Sequence, residues 1–266
     1  MLSNSAIFFD LDGTIWNNQN QTISSELVRQ LNQMKQTGFS IFVCTGRTFA
    51  TIPYEIKEKI NWNGFICDNG TLIYDENGEK LFFKGYTNKI YQEIMEIAAR
   101  NDLCVEVKTW ADRFIIGKLD DHVKKAHRYF GLEIPSIVDA DTFGIDDITT
   151  FMVYGEEKDV KEFEEIDGVQ VLKGESSFAD IIMENTSKFT GIEFVMKKYS
   201  LSKSITFGDS LNDLEMIKNS SFGIAMGNSN SEVKKVADFI TKDVSEDGVL
   251  YALKRLPDIY YNPDQI

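Results

Sequence analysis

Histidine, cysteine and basic charge are all scarce in this chain of 266 residues. The two histidines, His122 and His127, share one charged stretch far from the acidic turns, and no Gly-x-Ser-x-Gly elbow occurs. A serine–histidine hydrolase is set aside on that ground. Cys44, Cys67 and Cys104 have no metal-ligand spacing and form an odd set, which fits small buried hydrophobes in a reducing compartment. No apolar run approaches the roughly 20 residues that span a bilayer. No basic region precedes Ile7, and Asp10 stands where a secretory leader would be apolar. The expectation is a cytoplasmic protein with no membrane partner. Lys and Arg number 28 against 42 Asp and Glu, a net charge of -14. That balance argues against nucleic acid as a partner, because binding a phosphate backbone draws on clustered cations to displace counterions. A small anionic substrate stays open: salt confines the global repulsion to about 8 Å, and one local cation then sets the sign of the field in a pocket.

What is present is an ordinary globular composition, 42% hydrophobic and 26% charged, in a chain long enough for one large domain or two modest ones. Its organising stretch is Ile7-Phe8-Phe9-Asp10-Leu11-Asp12-Gly13-Thr14. Three bulky apolar residues without helical spacing read as a buried strand of a parallel sheet, stopped by an acidic, glycine-containing turn. Ligands of open α/β sheets bind beyond the carboxyl ends of the strands, so Asp10 and Asp12 are expected at the mouth of the fold. Two carboxylates so close repel each other and suggest a bound metal, a shared proton or two acid–base roles. A calcium loop is a poor fit, because Ile15 follows Thr14 where a glycine is required.

The chain then alternates helix and strand. Ser24 or Ser25 caps a helix with Leu27, Leu31 and Met34 on one face, and Phe39–Cys44 is a second buried strand ending in Thr45-Gly46-Arg47. A third strand, Gly64–Cys67, runs into Asp68-Asn69-Gly70, followed by a hairpin that turns through Asn77-Gly78. From about Lys84 the pattern becomes antiparallel and hairpin-like. It includes a helix over Lys158–Ile166 and continues to Met183. Beyond it, Ser187 caps a helix carrying Phe189, Ile192, Val195, Met196 and Tyr199 on one apolar face. Lys188 then falls in the first turn, where a cation opposes the helix dipole unless an anion lies close by. Ser204–Phe207 is another strand, ending in Gly208-Asp209-Ser210-Leu211-Asn212-Asp213, and the tail from Pro257 reads as loosely held. The division expected is a core over 1–83 and 185–266, with an inserted domain over 84–184. There is no internal repeat and no low-complexity segment.

Each polar cluster alone also reads as an ordinary turn or helix cap. Together, Asp10 and Asp12, Thr45, Lys188, and Asp209, Asn212 and Asp213 all fall at one end of one sheet. Carboxylates in that number suit a hard Mg²⁺ ion, and a Thr hydroxyl with a Lys suits phosphate oxygens. In order, these stretches resemble the four motifs of the haloacid dehalogenase-like phosphohydrolases. Asn69-Gly70, Ala225-Met226-Gly227-Asn228 and Glu246-Asp247-Gly248 look like the Cof-type sugar-phosphatase subfamily. One helix separates Asp12 from Thr45, and the long insertion lies between Arg47 and Lys188, similar to the type IIB α/β cap. Phe189 stands where the family commonly has Gly, and Thr71 and Ser229 stand where Ala is frequent.

The resemblance implies a Rossmann-like parallel-sheet core with an inserted α/β cap. It also implies a Mg²⁺-dependent phosphatase of small phosphorylated metabolites, working as a monomer or weak homodimer. In it Asp10 is the nucleophile and Asp12 the general acid and base, with Thr45 and Lys188 on the transferring group. Asp10, Asp12, Asp209 and Asp213 serve the metal, and Leu11, Gly13, Gly46, Arg47 and Asn212 line the phosphate. Trp110 and Arg113, in a turn of the insertion, are candidates for contacting the leaving group. A phosphotransferase or phosphomutase using the same intermediate, or a non-catalytic phosphosugar-binding protein, are the alternatives.

Overall fold

The structure is a computed structural model describing residues 4–140, 142, 144–173 and 178–261. In chain order its strands are β1 (Ser5–Phe9), β2 (Ser40–Cys44), β3 (Gly64–Cys67), β4 (Leu72–Asp75), β5 (Lys80–Phe83), β6 (Val105–Thr109), β7 (Arg113–Ile116), β8 (Ile148–Tyr154), β9 (Val169–Lys173), β10 (Phe178–Met183), β11 (Lys203–Gly208), β12 (Phe222–Ala225) and β13 (Phe239–Ile240). The helices are α1 (Ser25–Gln36), α2 (Tyr54–Lys59), α3 (Asn88–Arg100), α4 (Asp121–Phe130), α5 (Glu157–Val160), α6 (Lys188–Lys198), α7 (Leu214–Asn219), α8 (Ser231–Val236), α9 (Gly248–Lys254) and α10 (Leu256–Tyr261).

β1 is buried along its whole length, as a strand covered on both faces must be. It pairs in parallel with β11 on one side and β2 on the other. Phe8 stacks on Phe42 and Phe9 on Phe207, so the apolar run that marks β1 also ties it to both neighbours. The full sheet runs β13-β12-β11-β1-β2-β3-β4-β5, with β4 antiparallel to β3. From β1 the chain builds β2 and β3 to one side, then returns as β11, β12 and β13 on the other. The order therefore reverses between β1 and β11, the place where open α/β sheets form their ligand crevice.

Two compact units divide the chain: Met1–Gly46 with Ile52–Leu81 and Ser187–Ile266, and Arg47–Thr51 with Phe82–Thr186. The second carries an antiparallel sheet ordered β7-β6-β8-β10-β9. Val105, Val107, Phe151, Val153, Ala179 and Ile181 point to one face and pack against α3 through Ile90, Ile94 and Ala98. Met152 and Tyr154 belong to the other face, with Val123 and Ala126 of α4. The fold is thus α/β, a parallel-sheet core with an α/β unit inserted between β5 and α6. All three cysteines are buried and free. Among the described residues no helix is long and apolar enough to cross a membrane.

Three sequence expectations need correction. The helix expected over Lys158–Ile166 is a short α5 continued as a 3₁₀ stretch over Lys161–Glu165. Val160, Phe163 and Ile166 recur every third residue, and the three-residue turn aligns Val160 and Phe163 while the extended Ile166 closes the same buried row. The tail expected to be loose from Pro257 forms α10, which buries Leu256 and Ile259. Pro257 lies in its first turn, where a missing N–H costs nothing, and residues 262–266 lie outside those described.

The third correction concerns α6. Its buried face is Lys188, Gly191, Ile192 and Val195, whereas Phe189 and Met196 are half-buried and Tyr199 is 40% exposed. Close packing is the cause. A Cβ on Gly70 would lie 2.1 Å from the Ser187 carbonyl oxygen, and one on Gly191 would lie 2.6 Å from Cγ2 of Ile66. The missing side chains let the helix start press onto the turn after β3, which rolls Lys188 inward.

This contact generates a stability prediction. Gly70→Ala combines a φ of +97° with a backbone collision and should cost at least about 2 kcal/mol. Gly78→Ala, with φ +79° in the β4–β5 turn and nothing within 4 Å, should cost only about 1 kcal/mol. Chemical denaturation of the two variants checks the difference; equal losses would show that the Gly70 contact is not tight.

Candidate active site

Backbone pairing carries each site residue to the carboxyl end of the sheet. Asp10 N donates to Phe207 O at 2.9 Å, so Asp10 is still held against β11 as it leaves β1. The loop then folds back: Trp16 N donates to Leu11 O at 2.8 Å and Gly13 N to Trp16 O at 2.9 Å. Gly13 contributes room here. Its φ is +80°, and a Cβ would sit 2.3 Å from Oδ2 of Asp209. Asp12 is half-buried in the same loop.

At the end of β2, Thr45 N donates to Ile66 O at 2.8 Å, and Thr45 O accepts from Asn69 N at 3.0 Å. Asp68, Asn69 and Gly70 are all left-handed, a conformation that Asn, Asp and Gly adopt most readily. This turn buries the Asn69 side chain beside Gly46 and presents its Oδ1 to Nδ2 of Asn212 at 2.9 Å.

The centre is a buried ammonium between carboxylates. Lys188, 1% exposed, places Nζ 2.6 Å from Oδ1 of Asp10 and 2.6 Å from Oδ1 of Asp213. The other oxygen of Asp213 accepts from Asp209 N at 2.9 Å and Ser210 N at 3.0 Å, closing the loop after β11. Among the described residues the donors to Asp209 are neutral: Ser210 Oγ at 3.2 Å on Oδ1 and Asn228 Nδ2 at 3.3 Å on Oδ2. Oxygens of Asp10, Asp209 and Asp213 lie within 4.8 Å of one another.

The structure therefore brings Asp10, Lys188, Asp209 and Asp213 together, with Asn212 joined through Asn69. Arg47 belongs to the second unit, where its guanidinium donates to the carbonyl oxygens of Thr51 at 3.0 Å and Phe130 at 3.2 Å. Arg113 is also engaged, donating to Oε1 of the buried Glu106 at 3.0 Å and to Glu133 O at 3.1 Å. Trp110 leaves its ring 44% exposed while its indole N–H donates to Asp147. Asn69 and Asn228 carry contacts that the sequence reading did not assign. The hint in the sequence was an Asn before Gly in one case and just after Gly in the other.

The sequence pattern of haloacid dehalogenase-like hydrolases matches residues 7–253. This chain belongs to that family. The hydrolase is 28% identical over 264 residues to YkrA of Bacillus subtilis, covering 96% of this chain and 98% of YkrA. It superposes with a TM-score of 0.87 on BT1666 of Bacteroides thetaiotaomicron, studied among the phosphatases of this superfamily, at 25% identity and covering 97% of this chain and 96% of that one. A subclass IIB sugar phosphatase, BT4131, shares the fold at TM-score 0.84 and 21% identity, with 95% and 99% of the two chains covered.

Electrostatics at the hydrolase centre follow from burial. Burial first, then the charge of Asp213, pushes Asp10 from the ordinary 3.8 up to about 7, against the lowering effect of Lys188. Asp209 is driven well above the usual carboxylate range by burial and by the charges of Asp10 and Asp213. For Lys188 burial works downward, but the charges of Asp10 and Asp213 outweigh it and hold the ammonium above its ordinary value. Three carboxylates face one ammonium, and every donor atom among the carboxylates is oxygen. That set fits a hard divalent cation such as Mg²⁺, which would offset the excess negative charge.

A pH dependence follows. With Asp10 at about 7 in the fold and near 3.8 in the unfolded chain, the native state holds a proton the unfolded state has released across that window. In chelator, stability should therefore fall as pH rises from about 4 to 7, and Asp10→Asn should flatten the fall. Thermal melts of both proteins in EDTA across this range check it; parallel curves would show Asp10 already ionised.

Proposed function

We propose that this protein is a Mg²⁺-dependent phosphatase of small phosphomonoesters, sugar phosphates or similar metabolites, acting through an aspartyl-phosphate on Asp10. The observation that carries the reading is the Lys188 ammonium bridging Asp10 and Asp213 at the reversal point of the sheet, with Asp209 alongside. Likeness to BT1666, a phosphatase, supports the reaction, and likeness to the sugar phosphatase BT4131 supports the substrate class.

The side chains of Asp10 and Asp209 and the main-chain carbonyl of Asp12 would hold the cation. Asp213 serves it at one remove, since its oxygens already fix Lys188 and the Asp209–Ser210 N–H groups. When bound, the cation offsets the repulsion between the Asp10 carboxylate and an incoming phosphate.

An oxygen of Asp10 attacks phosphorus in line, and the bond from phosphorus to the ester oxygen breaks. Asp12 delivers a proton to the leaving alcohol. In the second half it takes one from the water that attacks the phosphoenzyme, releasing inorganic phosphate and the Asp10 carboxylate. Lys188 favours the ionised form of Asp10 and, with Thr45 and the main chain around Leu11, Gly13 and Gly46, binds the transferring group. Asn212, whose amide donates to Asn69, orients the phosphate.

Phosphate release from a panel of sugar phosphates, nucleotides and cofactor phosphates, with and without chelator, tests the reading. Turnover should require a divalent cation. Asp10→Asn should keep the fold and the cation-dependent rise in melting temperature but lose turnover. Lys188→Met should lower the rate by about 10² to 10³ or more. Unimpaired hydrolysis by Asp10→Asn would rule out covalent catalysis by that residue.

A further inference from the structure

We propose that Asn228 is a positioning residue for the metal centre, its carboxamide orienting Asp209 and the Gly13 carbonyl and thereby setting the affinity for the divalent cation. The inference rests on the metal-dependent reading above and adds a residue to it.

Asn228 makes three hydrogen bonds through its amide, two as donor and one as acceptor. Nδ2 carries two hydrogens; it donates to Gly13 O at 2.8 Å and to Oδ2 of Asp209 at 3.3 Å. Oδ1 accepts from Val244 N at 2.9 Å, which anchors the amide from behind. One side chain thus links the loop after β1, the loop after β11 and the segment before α9. The two carboxylates of the β11 loop differ in a telling way. Asp213 takes an ammonium and two backbone N–H groups, whereas among the described residues Asp209 receives one neutral donor on each oxygen. An ionised carboxylate offers about four lone-pair sites, so Asp209 is oriented yet keeps capacity for a cation. Groups that orient a metal-binding carboxylate in this way govern affinity.

The turn bearing Asn228 is fixed without its side chain. Met226 N and Ser229 Oγ both donate to Gly208 O, at 3.0 and 3.1 Å, and Asn230 N donates to Asp209 O at 2.8 Å. Gly227 presses against the Lys242–Asp243 backbone, where a Cβ would stand 2.5 Å from Asp243 N. Truncating Asn228 therefore removes the grip on the carboxylate while these ties keep the turn in place.

The test is Mg²⁺ binding, measured by calorimetry on the full chain, alongside phosphate release as a function of Mg²⁺ concentration. Asn228→Ala should bind Mg²⁺ about 10- to 100-fold more weakly than the parent. Saturating Mg²⁺ should restore most of its rate, a rescue that simple loosening of the fold does not give. Asn228→Ser provides the same comparison if the alanine variant does not fold. A folded variant that binds Mg²⁺ as the parent does overturns the proposal and leaves the phosphatase reading intact. Failure of both variants to fold assigns Asn228 to the fold and overturns it equally. A parent protein that binds no divalent cation overturns this inference and the metal-dependent reading together.

Discussion

The ammonium of Lys188 is the hinge of the whole arrangement. A fully buried cation in the first turn of a helix is doubly unfavourable: it loses its water, and it opposes the helix dipole by about 0.3 to 1 kcal/mol. Only nearby anions make the position tolerable, and the two that do, Asp10 and Asp213, come from the strands on either side of the sheet's reversal point. β1 and β11 must therefore be neighbours in register, and α6 must begin where they end. A buried pair of this kind is weak evidence for stability, since apolar replacement is often neutral or better. Its presence at the carboxyl end of a parallel sheet speaks for chemistry.

Charge balance takes the argument a step further. Lys188 offsets one of three gathered negative charges, and burial together with the neighbouring carboxylate charges raises the proton affinity of Asp10 and Asp209. A divalent cation bound at the same oxygens would compete with those protons. A cation at these oxygens would favour the ionised form of Asp10, the form that the proposed attack requires.

How much of this was legible in the chain follows from what kind of information each feature needs. The clusters at Asp10, Thr45 and Asp209 could be read locally, because an apolar run that stops at polar residues marks a strand end whatever the rest of the fold does. The α/β class and the insertion were legible for the same reason, from changes in the period of the apolar pattern. Lys188 was placed in the first turn of α6, but the face it occupies was not legible: apolar counting favoured Phe189 and Tyr199, and it cannot register two glycines that bring backbones together. Asn69 and Asn228 were hidden for a related reason. An amide looks the same in a solvated turn as at the meeting of three loops, and its role appears only when residues distant in sequence, such as Asn228 and Gly13, meet in space.

Those glycines connect the fold to the site. Gly70 ends the left-handed turn that also carries Asn69, so the same three residues admit α6 and hold Asn212. The geometry of the cation site and that of the Asn212 amide are then not independent. A side chain at Gly70 would push back the start of α6, drawing Lys188 from Asp10 while disturbing the turn that fixes Asn212. The absence of one methyl group at that position holds the Lys188 ammonium and the Asn212 amide in one frame, as the proposed mechanism requires of dipoles set in place before substrate arrives.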